Sequence, residues 1–504
     1  MTTLFALFCC CVSPVFAIFL APELRFVTVQ TPVGNIRGIS KLINGKTINE
    51  FYGIPYAEPP TGSLRFNKPV QKAPFISTFD ATDLLATVAC PSWEKRDLVP
   101  FSEDCLMLNI FSPPPSNALK PVMIWIHGGG FTSGSNARYD GSIIAGSDVI
   151  VVAINYRLGQ LGFMSTESGL IKGNFGLWDQ HMAIQWVHDN IESFGGDVNN
   201  VTIFGESAGS SSVMYQSMYA GNKGLFQRVI AESGSTTSPW AYKNIITSSL
   251  HAYRFAYQCG CKQTTEDARL ACLRLMTSSA IITCVSTYAY GLSNDDYAWT
   301  VTADGEFVAT DQWNMFTDSA ATHADLTFFQ SLDLLIGVNK GDGMLYLYDW
   351  NKRFNTNMTA NPGLTKQQFH DTILPIYLKF GKNFNAVNAS FLEKVFSFYA
   401  ADDTLVMLRN LVQFTTDVGF TAPSVLALMA HERQGTGSSF FYEFAYSPHR
   451  HQLPVIPKID DGTLANHADE LDFVFGAAEF YNSTVEQNLS KTMVTMWTNF
   501  AKTG

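Results

Sequence analysis

Short apolar runs and one stretch of helical spacing alternate along the first half of the chain. Runs of β-branched and aromatic residues between turn residues predict strands, and apolar positions three or four residues apart predict a helix. The predicted strands cover 28–38, 47–52, 106–111, 122–126, 149–156, 201–204 and 228–232, with a helix over 178–192. We expect the first two strands to form an antiparallel hairpin turned by Asn44-Gly45.

The second half of the chain predicts helices interrupted by two strands. Residues 332–338 and 440–444 are apolar runs, whereas 240–330 and 345–415 are helical and loop-rich. Strands alternating with helices imply an α/β fold: a large, mostly parallel twisted sheet with helices on both faces. The helical segments would be insertions above the carboxyl ends of the strands. No Pro/Gly/Ser-rich linker, repeat or charge run divides the sequence, so residues 18–504 are predicted to form a single domain.

Residues 1–21 are almost wholly apolar. The apolar segment 4–12, the break at Pro14 and the small residues Val15 and Ala17 are typical of a signal peptide that ends at residue 17, although a basic start is missing. The stretch is short for a membrane span, and a retained anchor is the alternative. We therefore expect a secreted protein without a stable membrane span.

The net charge restricts the partners of this protein. The 504-residue chain is 46% hydrophobic, enough for a large core, and its formal net charge is −11. An acidic surface argues against nucleic acid or an anionic membrane as a partner. Nothing in the sequence indicates the oligomeric state.

Six cysteines remain outside the predicted signal peptide, and an even number in a secreted chain suggests disulfides. Cys90 with Cys105, and Cys261 with Cys272, would each close a short loop. The two left over, Cys259 and Cys284, either pair or stay as buried free thiols. Sequons for N-glycosylation occur at Asn357, Asn388, Asn482 and Asn488. A fifth, at Asn200, leads into a predicted strand and is expected to be too buried for modification.

The segment Gly205-Glu206-Ser207-Ala208-Gly209 lies between a predicted strand and a predicted helix. This arrangement is typical of a nucleophile elbow, in which a strained turn exposes a serine hydroxyl above the sheet. The flanking glycines are required because a Cβ would collide with the neighbouring strand and helix. Ser207 is therefore the candidate nucleophile.

An acyl-transfer serine also needs oxyanion donors, a base and an orienting acid. His127-Gly128-Gly129-Gly130-Phe131 follows a predicted strand, and its glycines let backbone N–H groups point inward; the N–H of Ala208 would be the partner donor. His467 lies in a loop beyond the last predicted strand. The base is expected there, because these residues follow one another along the sequence in the order serine, acid, histidine. Asp342 follows strand 332–338 between glycines, whereas its rival Asp333 opens that strand.

Several of these motifs together resemble the type-B carboxylesterases, the family that includes the cholinesterases. The resemblance runs from about Phe26 to Gly504. Its motifs are the elbow, the segment 102–109 (SEDCLMLN), the segment 52–57 (YGIPYA), the segment 173–180 (GNFGLWDQ) and the segment 467–471 (HADEL).

The resemblance implies an α/β-hydrolase fold with helical insertions over the active site, and no metal or organic cofactor. It implies Ser207 as nucleophile, His467 as general base and Asp342 as orienting acid. The oxyanion hole would be formed by Gly129, Gly130 and Ala208, and the residues beside the triad would be Glu206 and Ser233. The implied disulfides are Cys90–Cys105 and Cys261–Cys272, and the implied buried ion pairs are Arg65–Glu103 and Arg157–Asp179.

The chain departs from the family pattern at three places. The family's acid is usually glutamate, and Asp342 is one methylene shorter, so it must approach His467 more closely or lose alignment. The loop after Cys90 ends without the tryptophan that binds choline in cholinesterases, since Trp93 lies at the other end. Ala422 stands where many cholinesterases have a cysteine. Candidates for an acyl pocket are Trp240, Tyr297 and Trp299, and ordinary core packing is the alternative for each.

These features predict a secreted, glycosylated serine hydrolase that acts on a small-molecule carboxylic ester through an acyl-enzyme intermediate. Two other interpretations stay open. One is a cholinesterase-like adhesion or binding protein with a weak or inactive site, and the other is a true cholinesterase.

Overall fold

A computed structural model of the protein describes residues 25–92, 100–291, 299–317, 324–377 and 389–504. Its centre is one twisted sheet. The strands are β1 (Arg25–Thr31), β2 (Gly34–Ile43), β3 (Lys46–Pro55), β4 (Phe79–Asp80), β5 (Met107–Ser112), β6 (Lys120–Ile126), β7 (Ile150–Ile154), β8 (Gly196–Glu206), β9 (Arg228–Glu232), β10 (Asp333–Asn339) and β11 (Ser439–Phe444).

The strand order across the sheet is β1-β2-β3-β5-β7-β6-β8-β9-β10-β11, with β4 paired to β2. The ladders from β1 to β7 are antiparallel, and those from β7 through β6 to β11 are parallel. Parallel strands present their carboxyl ends at one edge, so the loops after β6, β8 and β10 meet there. The prediction of a mostly parallel α/β sheet is therefore confirmed.

The prediction of one strand over 28–38 is wrong. The structure divides this segment into β1 and β2, which pair antiparallel as far as Thr31 and Gly34. Pro32 and Val33 form the turn between them, because proline has no N–H for a ladder and its fixed φ suits a turn. The predicted turn at Asn44-Gly45 is confirmed, since β2 and β3 pair up to Ile43 and Lys46.

Helices cover both faces of the sheet and form the insertions above it. They are α1 (Ser142–Ala145), α2 (Gly159–Phe163), α3 (Phe175–Asn190), α4 (Ala208–Ser217), α5 (Ile245–Gln258), α6 (Glu266–Leu275), α7 (Ser278–Gly291), α8 (Gln312–Thr317), α9 (Ala324–Gln330), α10 (Leu347–Phe354), α11 (Lys366–Gln368), α12 (Leu374–Tyr377), α13 (Ala389–Tyr399), α14 (Thr404–Thr416), α15 (Ala422–Glu432), α16 (Leu471–Val474) and α17 (Thr484–Thr503). The predicted helix at 178–192 corresponds to α3, and the helices α5 to α14 lie in the two segments predicted as insertions.

Strand β6 shows how the sheet separates two apolar layers. Val122, Ile124 and Ile126 belong to one buried cluster, whereas Met123 and Trp125 belong to another on the opposite face. This follows from the two-residue repeat of a strand, whose side chains point alternately to the two faces. Because both faces are covered, the strand is apolar throughout, as expected for a parallel sheet. A third cluster lies among the later insertions, around α10 to α14.

Two buried ion pairs hold loops around the sheet. Arg65 binds Glu103 with two bonds of 2.7 Å and also donates to the carbonyl of Leu273 at the end of α6. Asp179 on α3 accepts from the backbone N–H and the guanidinium of Arg157, at 2.7–3.0 Å. Both carboxylates are almost inaccessible to solvent. The two predicted pairs are therefore present, and each fixes a loop to a helix.

Three disulfides are present among the described residues: Cys90–Cys105, Cys259–Cys284 and Cys261–Cys272. Cys259 and Cys284 therefore form a disulfide in the structure and are not free thiols. The amide of Asn200 is engaged with Arg228 and with the carbonyl of Lys502.

The described residues contain no individual helix that is both long enough and apolar enough to cross a bilayer. One bent pair, Glu266–Leu275 with Ser278–Val285, meets the length and composition requirements jointly across a bend of 114°. The predicted signal peptide lies outside the described residues.

The Arg157–Asp179 pair generates a stability prediction. Replacing Arg157 by leucine leaves the buried Asp179 carboxylate without its cation, and we expect the free energy of unfolding to fall by about 3–5 kcal/mol. Urea denaturation followed by circular dichroism measures this. The Lys72→Leu variant is a matched control, because both side chains of its ion pair with Glu58 are about 30% exposed and the pair should contribute little. A loss at Arg157 no larger than the loss at Lys72 would contradict the prediction.

Candidate active site

The elbow predicted at Ser207 is the junction between β8 and α4. Ser207 has φ 57° and ψ −120°, a strained conformation for a residue with a side chain. Its N–H donates to the carbonyl of Glu232 on the neighbouring strand, at 2.8 Å. A Cβ on Gly209 would come within 1.9 Å of the carbonyl oxygen of Ile126 on β6. This close approach explains why glycine is required after the serine.

His467 and Asp342 meet at the carboxyl edge of the sheet. Nδ1 of His467 lies 2.8 Å from Oδ1 of Asp342, and both side chains are buried. A carboxylate only accepts, so Nδ1 carries the proton and Nε2 has a free lone pair. The rival Asp333 begins β10 and accepts from the N–H of Ser438, away from His467.

The short side chain of Asp342 reaches His467 because two loops lie close together. The N–H of Gly341 donates to the carbonyl of Ala465 at 2.8 Å, and Gly341 forms a parallel bridge with Asn466. The other carboxylate oxygen of Asp342 accepts from the N–H of Asn339 at 2.8 Å. The missing methylene is therefore compensated by backbone packing, and the carboxylate is held on two sides.

Nε2 of His467 points toward the elbow. It lies 3.1 Å from Oε1 of Glu206, the residue before Ser207, but without the alignment of a hydrogen bond. Burial, with Asp342 and Glu232 nearby, raises the pKa of Glu206 well above its usual range, which favours the protonated acid. In its protonated form Glu206 adds no negative charge beside His467.

The glycine loop 127–134 packs against Ser207. A Cβ on Gly128 would lie 3.0 Å from Cβ of Ser207. Gly129 has φ 106°, and a Cβ there would lie 2.3 Å from the carbonyl oxygen of Ser133. Gly130 also has positive φ, and Ala208 is the first residue of α4, so its N–H has no partner within the helix. Ala208 directly follows Ser207, and Gly129 and Gly130 belong to the loop that meets Ser207 at Gly128, so their role as an oxyanion hole stays a prediction.

Contacts of His127, the first residue of this loop, hold the loop in place. Its ring stacks on Tyr156 at 4.6 Å, and the Tyr156 hydroxyl donates to the His127 carbonyl at 2.9 Å. Burial lowers the pKa of His127 to about 4, so the imidazole is neutral and Nδ1–H donates to the carbonyl of Gly128 at 2.8 Å. Tyr156 had no sequence signal beyond its strand.

Further buried carboxyls lie near His467 and Asp342. Glu232 accepts from Nε1 of Trp497 at 3.0 Å, and burial raises the pKa of Glu232 to about 8. Burial also raises the pKa of Glu470, which accepts from the side-chain amide of Asn339. Ser233 has φ 56°, and its N–H donates to the carbonyl of Gly337. The site therefore contains more carboxyl groups than the pattern of motifs indicated.

Aromatic side chains cover one side of His467. Nε1 of Trp240 donates to the carbonyl of Gly419 at 3.0 Å, and its ring centroid lies 5.7 Å from that of Phe420. The Phe420 ring in turn lies 4.9 Å from the imidazole of His467. Phe420 was missed from the sequence, since a phenylalanine among apolar residues gives no signal; it lies in a π-helical turn, a distortion frequent at functional sites.

The remaining predicted residues are distributed as follows. Trp299 packs edge-on against His251 and Phe255, at 6.0 Å from each, beside α5. Tyr297 lies outside the described residues. Its role and that of Trp299 in an acyl pocket stay predictions.

The sequons at Asn357, Asn482 and Asn488 are exposed, and Asn388 lies outside the described residues. No group of three or more His, Cys, Asp or Glu side chains in the described part of the chain is arranged to hold a metal ion.

Comparison with known proteins agrees with this geometry. A model of the Carboxylesterase family matches residues 26–504. Bile salt-activated lipase of Bos taurus is 32% identical, over 96% of this chain and 80% of the lipase. Acetylcholinesterase-1 of Trittame loki is 34% identical, over 94% of this chain and 86% of the length of the acetylcholinesterase. Neuroligin-2 of Mus musculus is 32% identical, over 96% of this chain and 61% of the neuroligin.

The family match covers nearly the whole chain, and the relatives align over most of it. Together with the mostly parallel sheet and the elbow at its carboxyl edge, they show that this chain belongs to the carboxylesterase family.

Proposed function

We propose that this protein is a secreted carboxylic ester hydrolase whose triad is Ser207, His467 and Asp342. The observation that carries the proposal is the orientation of His467. Its Nδ1 is 2.8 Å from a buried aspartate, while its lone pair at Nε2 is directed to the segment that carries Ser207. An imidazole fixed in this tautomer beside a strained serine is suited to remove the serine proton.

The reaction would follow from these positions. The hydroxyl oxygen of Ser207 attacks the ester carbonyl as Nε2 of His467 takes its proton, and the oxyanion accepts bonds from the N–H groups of Gly129, Gly130 and Ala208. The proton then passes to the alcohol as the C–O bond breaks, leaving an acyl-serine. Water, deprotonated by the same Nε2, releases the acid and restores Ser207.

The environment proposed for this enzyme is extracellular. Residues 1–17 would be removed as a signal peptide, and residues 18–504 would form a single domain. Three disulfides among the described residues agree with an oxidising compartment, and exposed Asn357, Asn482 and Asn488 would be glycosylated. The substrate would be a small-molecule ester, and Trp240 with Phe420 would contact its acyl group.

An adhesion role is the second candidate, because neuroligin-2 of Mus musculus aligns with 96% of this chain. Ser207, His467 and Asp342 all lie at one edge of the sheet, which favours the enzyme. Acetylcholinesterase-1 of Trittame loki, at 34% identity, is the observation that favours a cholinesterase role. The segment Pro100-Phe101-Ser102, at the end of the first disulfide loop, offers no indole face for a quaternary ammonium.

Ser207→Ala should abolish hydrolysis of a short-chain p-nitrophenyl ester, because the attacking oxygen is lost. The exposed Ser116→Ala change is the control and should leave turnover unchanged. A fluorescent organophosphonate should label the parent and not Ser207→Ala. Residual turnover within tenfold of the parent, or an unlabelled parent, would contradict the proposal and favour the adhesion role.

Asp342→Asn should lower kcat about 10³–10⁴-fold, since an amide no longer holds the imidazole in the required tautomer. Asp333→Asn is the matched control at the opposite end of β10 and should stay within twofold of the parent. Stopped-flow or steady-state assays with the same ester measure both. If Asp342→Asn kept more than a tenth of the parental kcat, Asp342 would not be the orienting acid.

Acetylthiocholine should be hydrolysed no faster than its uncharged analogue, S-(3,3-dimethylbutyl) thioacetate. The two thioesters have the same shape, so the ratio of their kcat/KM values reports recognition of the cation. Both are followed by thiol release with Ellman's reagent. A tenfold or greater preference for the cation would show that the protein is a cholinesterase.

A further inference from the structure

A second histidine–aspartate pair lies directly behind the loop that carries His467. Nδ1 of His451 is 2.6 Å from Oδ2 of Asp469, two residues after His467. The Asp469 side chain has no exposed surface, and 15% of the His451 side chain is exposed. A buried carboxylate requires several partners, and Asp469 finds them in two separate segments of backbone.

Asp469 collects three donors with its two oxygens. Oδ2 accepts from Nδ1 of His451 and from the N–H of Asn466, at 2.6 Å and 2.7 Å. Oδ1 accepts from the N–H of Gln452 at 3.0 Å. One carboxylate thus ties the segment 451–452 to the residue immediately before His467.

Asn466 extends the connection to His467 itself. Its side-chain amide donates to the carbonyls of Leu453 and Pro454, at 3.3 Å and 3.1 Å, and its side-chain oxygen accepts from the N–H of His467 at 2.7 Å. The position of the His467 backbone is therefore coupled to residues 451–454 through a continuous set of hydrogen bonds. Ala468, between His467 and Asp469, has a φ of 67°, a strained conformation that persists only where the surrounding contacts hold the loop.

We propose that His451 is a positioning residue for the catalytic histidine, acting as the cationic partner that holds Asp469 and, through Asn466, the loop of His467. Its kinetic consequences rest on the proposed ester hydrolysis; its structural consequences do not. His451 would touch neither the ester nor the reacting atoms, so its loss should affect kcat and leave KM nearly unchanged.

The charges around His451 give the expected pH dependence. Two charged groups act on His451, namely Asp469, which binds it directly, and Asp460. The hydroxyl of Ser447 lies 3.5 Å from Nε2 of His451 and donates to Asp460. The bond to Asp469 raises the pKa of His451 above its ordinary 6.5, more than partial burial lowers it. The charge-assisted bond is therefore complete below pH 6.5 and weakens as the pH rises through the raised pKa.

Two variants of His451 and one matched control test the proposal. His451→Phe keeps the ring shape and removes the donor. His451→Asn can present an uncharged N–H near the position of Nδ1. The control is His370→Asn, because His370 also binds an aspartate, Asp371, at 2.7 Å and has a raised pKa, but lies exposed on the insertion.

With a p-nitrophenyl ester at pH 6.5, kcat of His451→Phe should fall at least fivefold while KM stays within twofold. The deficit should be smaller at pH 9 than at pH 6.5, because loss of the His451 proton with rising pH also weakens this bond in the parent. His451→Asn should recover at least half of the parental kcat, and His370→Asn should match the parent. An equal effect at both pH values, an effect of His370→Asn, or a kcat of His451→Phe within twofold of the parent would overturn the proposal.

Hydrogen exchange measured by mass spectrometry separates this proposal from the proposed activity. Peptides covering 449–455 and 463–470 should exchange faster in His451→Phe than in the parent at the same pH, and the rest of the chain should not change. A parent that hydrolyses no ester but shows this local exchange would reject the enzyme and retain the positioning role. Unchanged exchange in both peptides would reject the positioning role.

Discussion

The bond between His467 and Asp342 is the contact on which the rest of the site depends. Two loops after different strands must approach until their backbones bond, because an aspartate has only one methylene with which to reach. The parallel sheet makes this possible by bringing the carboxyl ends of β10 and β11 to one edge, where β8 also ends. The fixed aspartate selects the histidine tautomer, and that tautomer leaves Nε2 directed to the segment that carries Ser207.

Burial explains why several acids surround this bond without competing for the histidine. Glu206, Glu232 and Glu470 are enclosed by protein, and desolvation raises the pKa of each. The protonated form of such an acid adds no negative charge beside His467. Both oxygens of Asp342 are occupied, because the N–H of Asn339 donates to one and the Nδ1–H of His467 donates to the other.

The strained residues of the site are held by contacts on several sides. Ser207, Ser233 and Ala468 have positive φ although each has a side chain. Such a conformation costs of order 1–3 kcal/mol and persists only where the surroundings determine it. The ladder between β8 and β9 holds Ser207, and the hydrogen bond from Ser233 to Gly337 holds Ser233. The loop bonded through Asp469 holds Ala468.

The sequence by itself determined the α/β class, most strands and the order of serine, acid and histidine. These follow from local physics: apolar runs mark buried strands, and the glycines around Ser207 are required by close backbone approach. It did not reveal the turn at Pro32-Val33, since the flanking residues read as one continuous strand. Only the tertiary structure decided the contacts of Phe420, Tyr156 and the His451–Asp469 pair. Their partners are distant along the chain, or lie across a turn that no periodicity describes, so their proximity arises from packing alone.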